Sequence, residues 1–248
     1  MAASEQYTLY TWGTPNGIKA SITLEELGLK YKTVAIDIST NAQKEEKFLK
    51  VNPNGRIPAI VDHSAGDLNV FETGAIMWYL ASKHPESGLW PKDVKEQAEV
   101  MSWLMWQMGG LGPMQGQANH FVLFAPVELA YPIKRYTDET YRLLETLERG
   151  LQGKQYLVGD RLTIADLASF SWAIFAPMIS ITFEKLPNVK AWLERIAERP
   201  AVKRGLDVPS KGNAGKLAAN IANPTADPEL KERYEKSLKK VENARASQ

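Results

Sequence analysis

The feature that most constrains the fold is a change of hydrophobic period about a third of the way along the chain. Before it, short β-branched and aromatic runs alternate with helical stretches: Tyr7 to Thr11 and Lys32 to Asp37 read as strands, and Gly17 to Leu27 as a helix closed by Gly28. The charged "NAQKEEKFLKVNP" reads as a short helix or loop. "RIPAIVD" and "NVFE", separated by "HSAGDL", then read as a hairpin, and "TGAIMWYLASK" as a helix. Beyond "HPESGLWPKD" the strand signals stop. "VKEQAEVMSWLMWQM", "YTDETYRLLETLERGL", "LTIADLASFSWAIFA" and "NVKAWLERIAER" all carry apolar residues at helical spacing. A βαβ unit followed by a hairpin and a helix predicts a small α/β domain whose four-stranded sheet mixes parallel and antiparallel neighbours, followed by an all-helical domain.

A chain of 248 residues accommodates two such domains. The expected boundaries are 1–87 for the α/β domain, 88–94 for a linker, 95–205 for the helical domain and 206–248 for a charged extension. The extension begins with "DVPSKGNAG" and is expected to lie outside the core. Within it Leu230, Tyr234, Leu238 and Val241 form one stripe of a helix starting near Pro228, which reads as a helix laid on the protein's own surface.

A net charge of +1 and the lack of a basic stripe with stacking aromatics argue against nucleic acid as a partner. No stretch has the length and apolarity of a membrane span, and the first residues do not resemble a secretory leader, so a cytoplasmic protein is expected. The chain contains no cysteine, which removes thiolate metal ligands and any protein-borne thiol nucleophile. Its three histidines, His63, His84 and His120, are far apart, and no metal site is expected.

Several short motifs could carry chemistry, and each has a structural alternative. Ile57-Pro58 before an apolar strand is either a cis peptide that turns the Ile57 backbone toward an extended, peptide-like ligand, or a trans proline at a strand's first position. In "FETGA" the helix start at Thr73 could hold a carboxylate and Glu72 an ammonium group, a pairing suited to an α-amino acid head. Taken singly, Thr73 reads as an N-cap and Glu72 as a surface carboxylate. Thr163 and Asp166 have capping-box spacing, which assigns Asp166 to folding. In "WLMWQMGGLGPMQGQANHF" the tryptophans read as core, while the glycines and Gln115, Gln117, Asn119 and His120 fit a ligand-facing role equally well.

Taken in order and spacing, "TPNGIK", "NPNGRIPA", "FETGAI" and "GDRLTIADLA" resemble the glutathione transferases. "TPNG" with the Trp/Gly-rich stretch is similar to the fungal subfamily related to a yeast nitrogen-catabolite regulator and to the bacterial Nu class. The resemblance, over about Tyr7 to Leu206, implies a thioredoxin-like first domain, a helical second domain and a homodimer. It also implies one glutathione site per subunit, built from Ile57 and Pro58 at the cysteinyl part and Glu72 and Thr73 at the γ-glutamyl head. Arg56 and Gln43 would lie toward the glycyl carboxylate or the dimer edge, and Arg135 would hold a second glutathione, its local alternative being a solvated helix charge.

Asn16 then acquires a role. A carboxamide cannot act as nucleophile or general base, but its N–H₂ can donate to the glutathione thiolate beside a helix N-terminus, with the Thr14 hydroxyl as a second donor. The local alternative is a turn in which Asn16 caps the helix. Without cysteine, all sulfur chemistry falls to glutathione, and the resemblance implies disulfide-bond reduction using two glutathiones or one glutathione disulfide. Conjugation to electrophiles or reduction of hydroperoxides, in a pocket of Trp106, Phe121 and Phe124, is the alternative enzyme reading. A non-enzymatic regulator is weakened because no Asn/Gln-rich stretch precedes the strand at Tyr7, and a carrier of hydrophobic molecules is a third reading.

Overall fold

The computed structural model describes residues 5–225 and 228–247. Strand β1 (Tyr7–Thr11), helix α1 (Pro15–Glu26) and β2 (Tyr31–Ala35) form the βαβ unit, followed by the short α2 (Glu46–Leu49), the hairpin β3 (Ala59–Asp62) and β4 (Leu68–Phe71), and α3 (Thr73–Lys83). The sheet order is β2-β1-β3-β4, with β1 parallel to β2 and antiparallel to β3, and β3 antiparallel to β4. This is the mixed thioredoxin-like sheet expected. Residue Gly28, at φ 64°, takes the left-handed conformation that ends α1.

The second domain contains α4 (Val94–Trp106), α5 (Gly112–Asn119), α6 (Ala130–Gly150), α7 (Ile164–Ala173), α8 (Pro187–Ala197), α9 (Pro200–Leu206), α10 (Asn213–Ala222) and α11 (Pro228–Ala246). The glycine-rich stretch after α4 was expected to kink or end that helix. It continues instead through a π-helical turn, Gln107–Leu111, into α5, and a second π turn, His120–Phe124, ends the rod.

Helix α1 joins the two domains. Ala20 and Leu24 pack into the sheet-side core, while Ile18 and Ile22 belong to the large helical core. All of Gly17 to Leu24 is therefore buried, including Lys19. Across the boundary Ser21 Oγ donates to the Gly205 carbonyl at 2.7 Å, and Arg199 grips Glu26 through two bonds of 2.7 Å.

The chain after Leu206 departs from expectation. A helix does start at Pro228, but Leu217 and Ile221 of α10 and Val241 and Ala244 of α11 lie in the helical core. Helix α11 is anchored by Ser237 against Ser180, by Lys240 Nζ donating to the Val122 carbonyl at 2.8 Å, and by Arg245 to Asp138 at 3.1 Å. Most described charges of this segment face outward while Lys240 and Arg245 tie it down, and small or apolar side chains on the inner faces complete the core.

Candidate functional site

The site is built around the N-terminus of α1. Thr14, not Asn16, caps this helix: its Oγ1 accepts from Gly17 N at 3.0 Å, and the helix begins at Pro15, two residues earlier than the glycine suggested. A Cβ on Gly17 would stand 2.0 Å from the Trp12 carbonyl oxygen, so the tight return of the chain demands glycine. Asn16 sits in the first turn with its side chain free of capping duty. Its Oδ1 accepts from Trp172 Nε1 at 3.0 Å, a bond that crosses from α7 of the helical domain.

One turn further along α1, Lys19 is 1% exposed. Its ammonium donates to Gln107 Oε1 at 2.6 Å and to Thr73 Oγ1 at 3.2 Å, and the Thr73 hydroxyl lies 3.3 Å from Met108 Sδ. Burial pulls the Lys19 pKa down to about 7, against the opposing pull of the Glu72 carboxylate. The π turn matters here because it carries Gln107 and Met108 together to the domain boundary.

Thr73 opens α3 as its first helical residue, and Glu72 occupies the cap position without a side-chain cap bond. Glu72 has φ 69° and ψ 122°, a left-handed conformation that costs a non-glycine residue on the order of 1–3 kcal/mol and is concentrated at ligand-binding positions. The Ile57–Pro58 peptide is cis. Asn52 fixes the loop ahead of it by donating Nδ2 to the Arg56 carbonyl at 2.6 Å.

Two adjoining cavities, each of about 640 Å³, meet at these groups. The first brings together Thr14, Asn16, Gln43, Arg56, Ile57, Pro58, Glu72 and Thr73, eight of the nine residues singled out from sequence. The second runs along α5 past Lys19, Gln107, Met108 and Gln117, and shares Asn16, Glu72, Thr73 and Trp172 with the first. Arg135 is the exception. It is exposed on α6 and lines a separate depression with Lys134, Asp138 and Glu139.

Other candidates separate in the same way. Gln115 is buried and donates Nε2 to the Trp172 carbonyl at 2.8 Å, a structural role, whereas only Gln117 of its polar stretch faces a cavity of the site. Trp106, Phe121 and Phe124, named for an alternative aromatic pocket, line neither cavity: Trp106 packs edge-on against Trp103, Phe121 stacks on Tyr136, and Phe124 is 71% exposed. Lys19 and Trp172 were not anticipated. The only trace of Lys19 in the sequence is a single charge inside the otherwise uncharged "GIKASITL", and Trp172 reads there as one more core aromatic. Among the described residues no group of three or more His, Asp or Glu gathers as metal ligands, and no helix is long and apolar enough to cross a membrane.

Residues 5–82 match the N-terminal domain of glutathione S-transferases and residues 131–200 the C-terminal domain. The chain belongs to the glutathione transferase family. Among its relatives, the disulfide-bond oxidoreductase YfcG of Escherichia coli is 42% identical over 203 residues, covering 80% of this chain and 93% of the relative. The transcriptional regulator URE2 of Saccharomyces cerevisiae is 34% identical over 82% of this chain and 68% of its own length. A glutathione transferase from Burkholderia graminis, solved with two glutathione molecules bound per subunit, superposes with a TM-score of 0.79 at 42% identity, covering 86% of this chain and 92% of that one. The transferase family thus includes both the regulator-related and the bacterial branches that the sequence resembles.

Proposed function

We propose that this transferase is a glutathione-dependent disulfide-bond reductase in which Asn16 stabilises the glutathione thiolate. The observation that carries the reading is a carboxamide at the N-terminus of α1, in a cleft shared with the cis Ile57–Pro58 peptide, within a chain that has no cysteine. The protein can form no mixed disulfide with its substrate, so a bound thiol must be both nucleophile and reductant. The Asn16 N–H₂ and the positive end of α1 favour the anion, lowering the thiol pKa from roughly 8.5.

In the reaction, one glutathione thiolate attacks the substrate disulfide and releases the first thiol. A second thiolate attacks the mixed disulfide, releasing the second thiol and glutathione disulfide, so two glutathiones are oxidised as one disulfide is reduced. Two cavities meeting at Asn16 give room for both molecules, and the two glutathiones bound by the Burkholderia graminis relative support that count. In this reading Ile57 and Pro58 take the cysteinyl part, Glu72 and Thr73 the γ-glutamyl head, and Gln43 and Arg56 the glycyl end. Arg135 lines a separate depression, so in this reading Lys19 and Gln117, which line the second cavity, take its place as the second molecule's anchor. Homodimerisation remains part of the proposal and is read by sedimentation.

Conjugation of apolar electrophiles is the weaker reading because the aromatics that would line its pocket lie elsewhere. The deciding experiment is steady-state reduction of hydroxyethyl disulfide with glutathione, run beside conjugation of an aromatic chloride. Fast reduction with feeble conjugation is expected. The reverse outcome would make the protein a conjugating transferase, and inactivity in both would favour a regulator or carrier.

A further inference from the structure

We propose that Trp172 is a positioning residue that sets the polarity of the Asn16 carboxamide, holding its N–H donors toward the thiol subsite; this rests on the function proposed above. The oxygen and nitrogen of a carboxamide are nearly isosteric, so an unrestrained asparagine presents either one. Only one orientation helps a thiolate. The other would set a carbonyl oxygen against a sulfur anion.

The indole N–H is a donor and never an acceptor. With Trp172 Nε1 3.0 Å from the Asn16 side chain, the atom facing it must be the oxygen, and that settles the orientation on chemical grounds. Among the described residues Nδ2 has no protein partner, while Asn16 lines both cavities.

Trp172 is itself held in place. The Trp172 carbonyl accepts from Gln115 Nε2, and the ring lies along α5 over Gly112 and Gly116, one turn apart. A Cβ on Gly116 would stand 3.3 Å from the ring, and a Cβ on Gly112 would stand 3.3 Å from Nε1 and 2.7 Å from Gln107 Nε2. These glycines therefore clear the path by which a side chain of the helical domain reaches the reacting group of the thioredoxin-like domain. Gly112, which the sequence left between core and ligand duty, and its neighbour on α5, Gly116, acquire a specific purpose.

The test compares Trp172→Phe, Asn16→Ala and the double variant. It reads the ultraviolet thiolate absorbance of bound glutathione against pH, and kcat and KM for reduction of hydroxyethyl disulfide. Trp172→Phe keeps an aromatic ring and deletes the donor. It should raise the bound thiol pKa by about one unit, cutting the thiolate fraction at neutral pH by up to about tenfold, and move the acid limb of kcat with it. The KM for glutathione should be unchanged, which loss of cleft shape would not leave so. Added to Asn16→Ala, Trp172→Phe should produce no further shift. A normal shift in Asn16→Ala with none in Trp172→Phe, or an equal further shift in the double variant, overturns the role of Trp172 alone. An Asn16→Ala protein with an unshifted thiol overturns the reading of Asn16 and this inference together. Should Trp172→Phe lower the thermal midpoint, Gly116→Val displaces the ring while keeping the donor. The same Asn16-dependent shift is then expected, and its absence counts against the proposal.

Discussion

Asp166 shows how much a single buried side chain can organise. The expected capping box is present, but the carboxylate also accepts from Leu157 N at 2.9 Å and Trp192 Nε1 at 3.0 Å, tying α7 to α8 and the preceding loop. Asp166→Ala should therefore cost more than a cap, about 3 kcal/mol, because buried donors are left unpaired. Urea unfolding checks this, and glutathione affinity in the folded protein should not change. Asp62 makes the corresponding prediction for pH. Burial alone would raise its pKa, but Lys83, the Ser64 hydroxyl and N–H, and Tyr79 outweigh it and hold the group at about 2. A carboxyl depressed below its unfolded value contributes stability above about pH 4 that is lost as pH falls toward about 2. Roughly 2 kcal/mol should disappear in that window, and Asp62→Asn should be less stable at neutral pH and lose about that much less across it in denaturant titrations. Thr14, Asn16, Ile57, Pro58, Glu72 and Thr73 could be named from sequence because each belongs to a contiguous motif at an element boundary. Lys19 and Trp172 could not, since neither has a local pattern: Lys19 meets Thr73 of another element and Gln107 across the domain boundary, and Trp172 reaches Asn16 from the helical domain.

At the scale of elements, α1 is the pivot. A helix with one apolar stripe serves one core. By contrast α1 buries Ala20 and Leu24 on one side and Ile18 and Ile22 on the other, so its amphipathic signal is weak although its burial is nearly complete. Helix α9 lies directly on it: a Cβ on Gly205 would stand 2.6 Å from the Cα of Ile22. Gly205→Ala should push the helices apart and destabilise by about 1–3 kcal/mol, visible as a lowered thermal midpoint and a weaker coupling of the Arg199–Glu26 pair in a double-mutant cycle. Strands and helices were legible because apolar spacing reports on one face at a time. The π turn at Gln107–Leu111 was not, because glycines announce a break without saying whether the helix ends or widens.

For the whole molecule, the segment after Leu206 is a structural part of the helical domain. Ending the chain at Leu206 removes Leu217, Ile221, Val241 and Ala244 from the core, and calorimetry should show a fall in thermal midpoint of about 10 °C. Every residue lining the two cavities precedes position 173, so the shortened protein should still bind glutathione in the cold. Hydrophobic periodicity alone determined a mixed α/β unit followed by helices, and the absence of cysteine alone determined that any thiol chemistry must come from a ligand. Those are properties of neighbours in the chain and of composition. Tertiary structure decided which way the Asn16 amide faces, that a lysine is buried behind Thr73, and that Arg135 stands apart from the cleft. Each depends on where two domains meet, and contacts such as that between Asn16 and Trp172 join residues too distant in sequence for any local spacing to encode them.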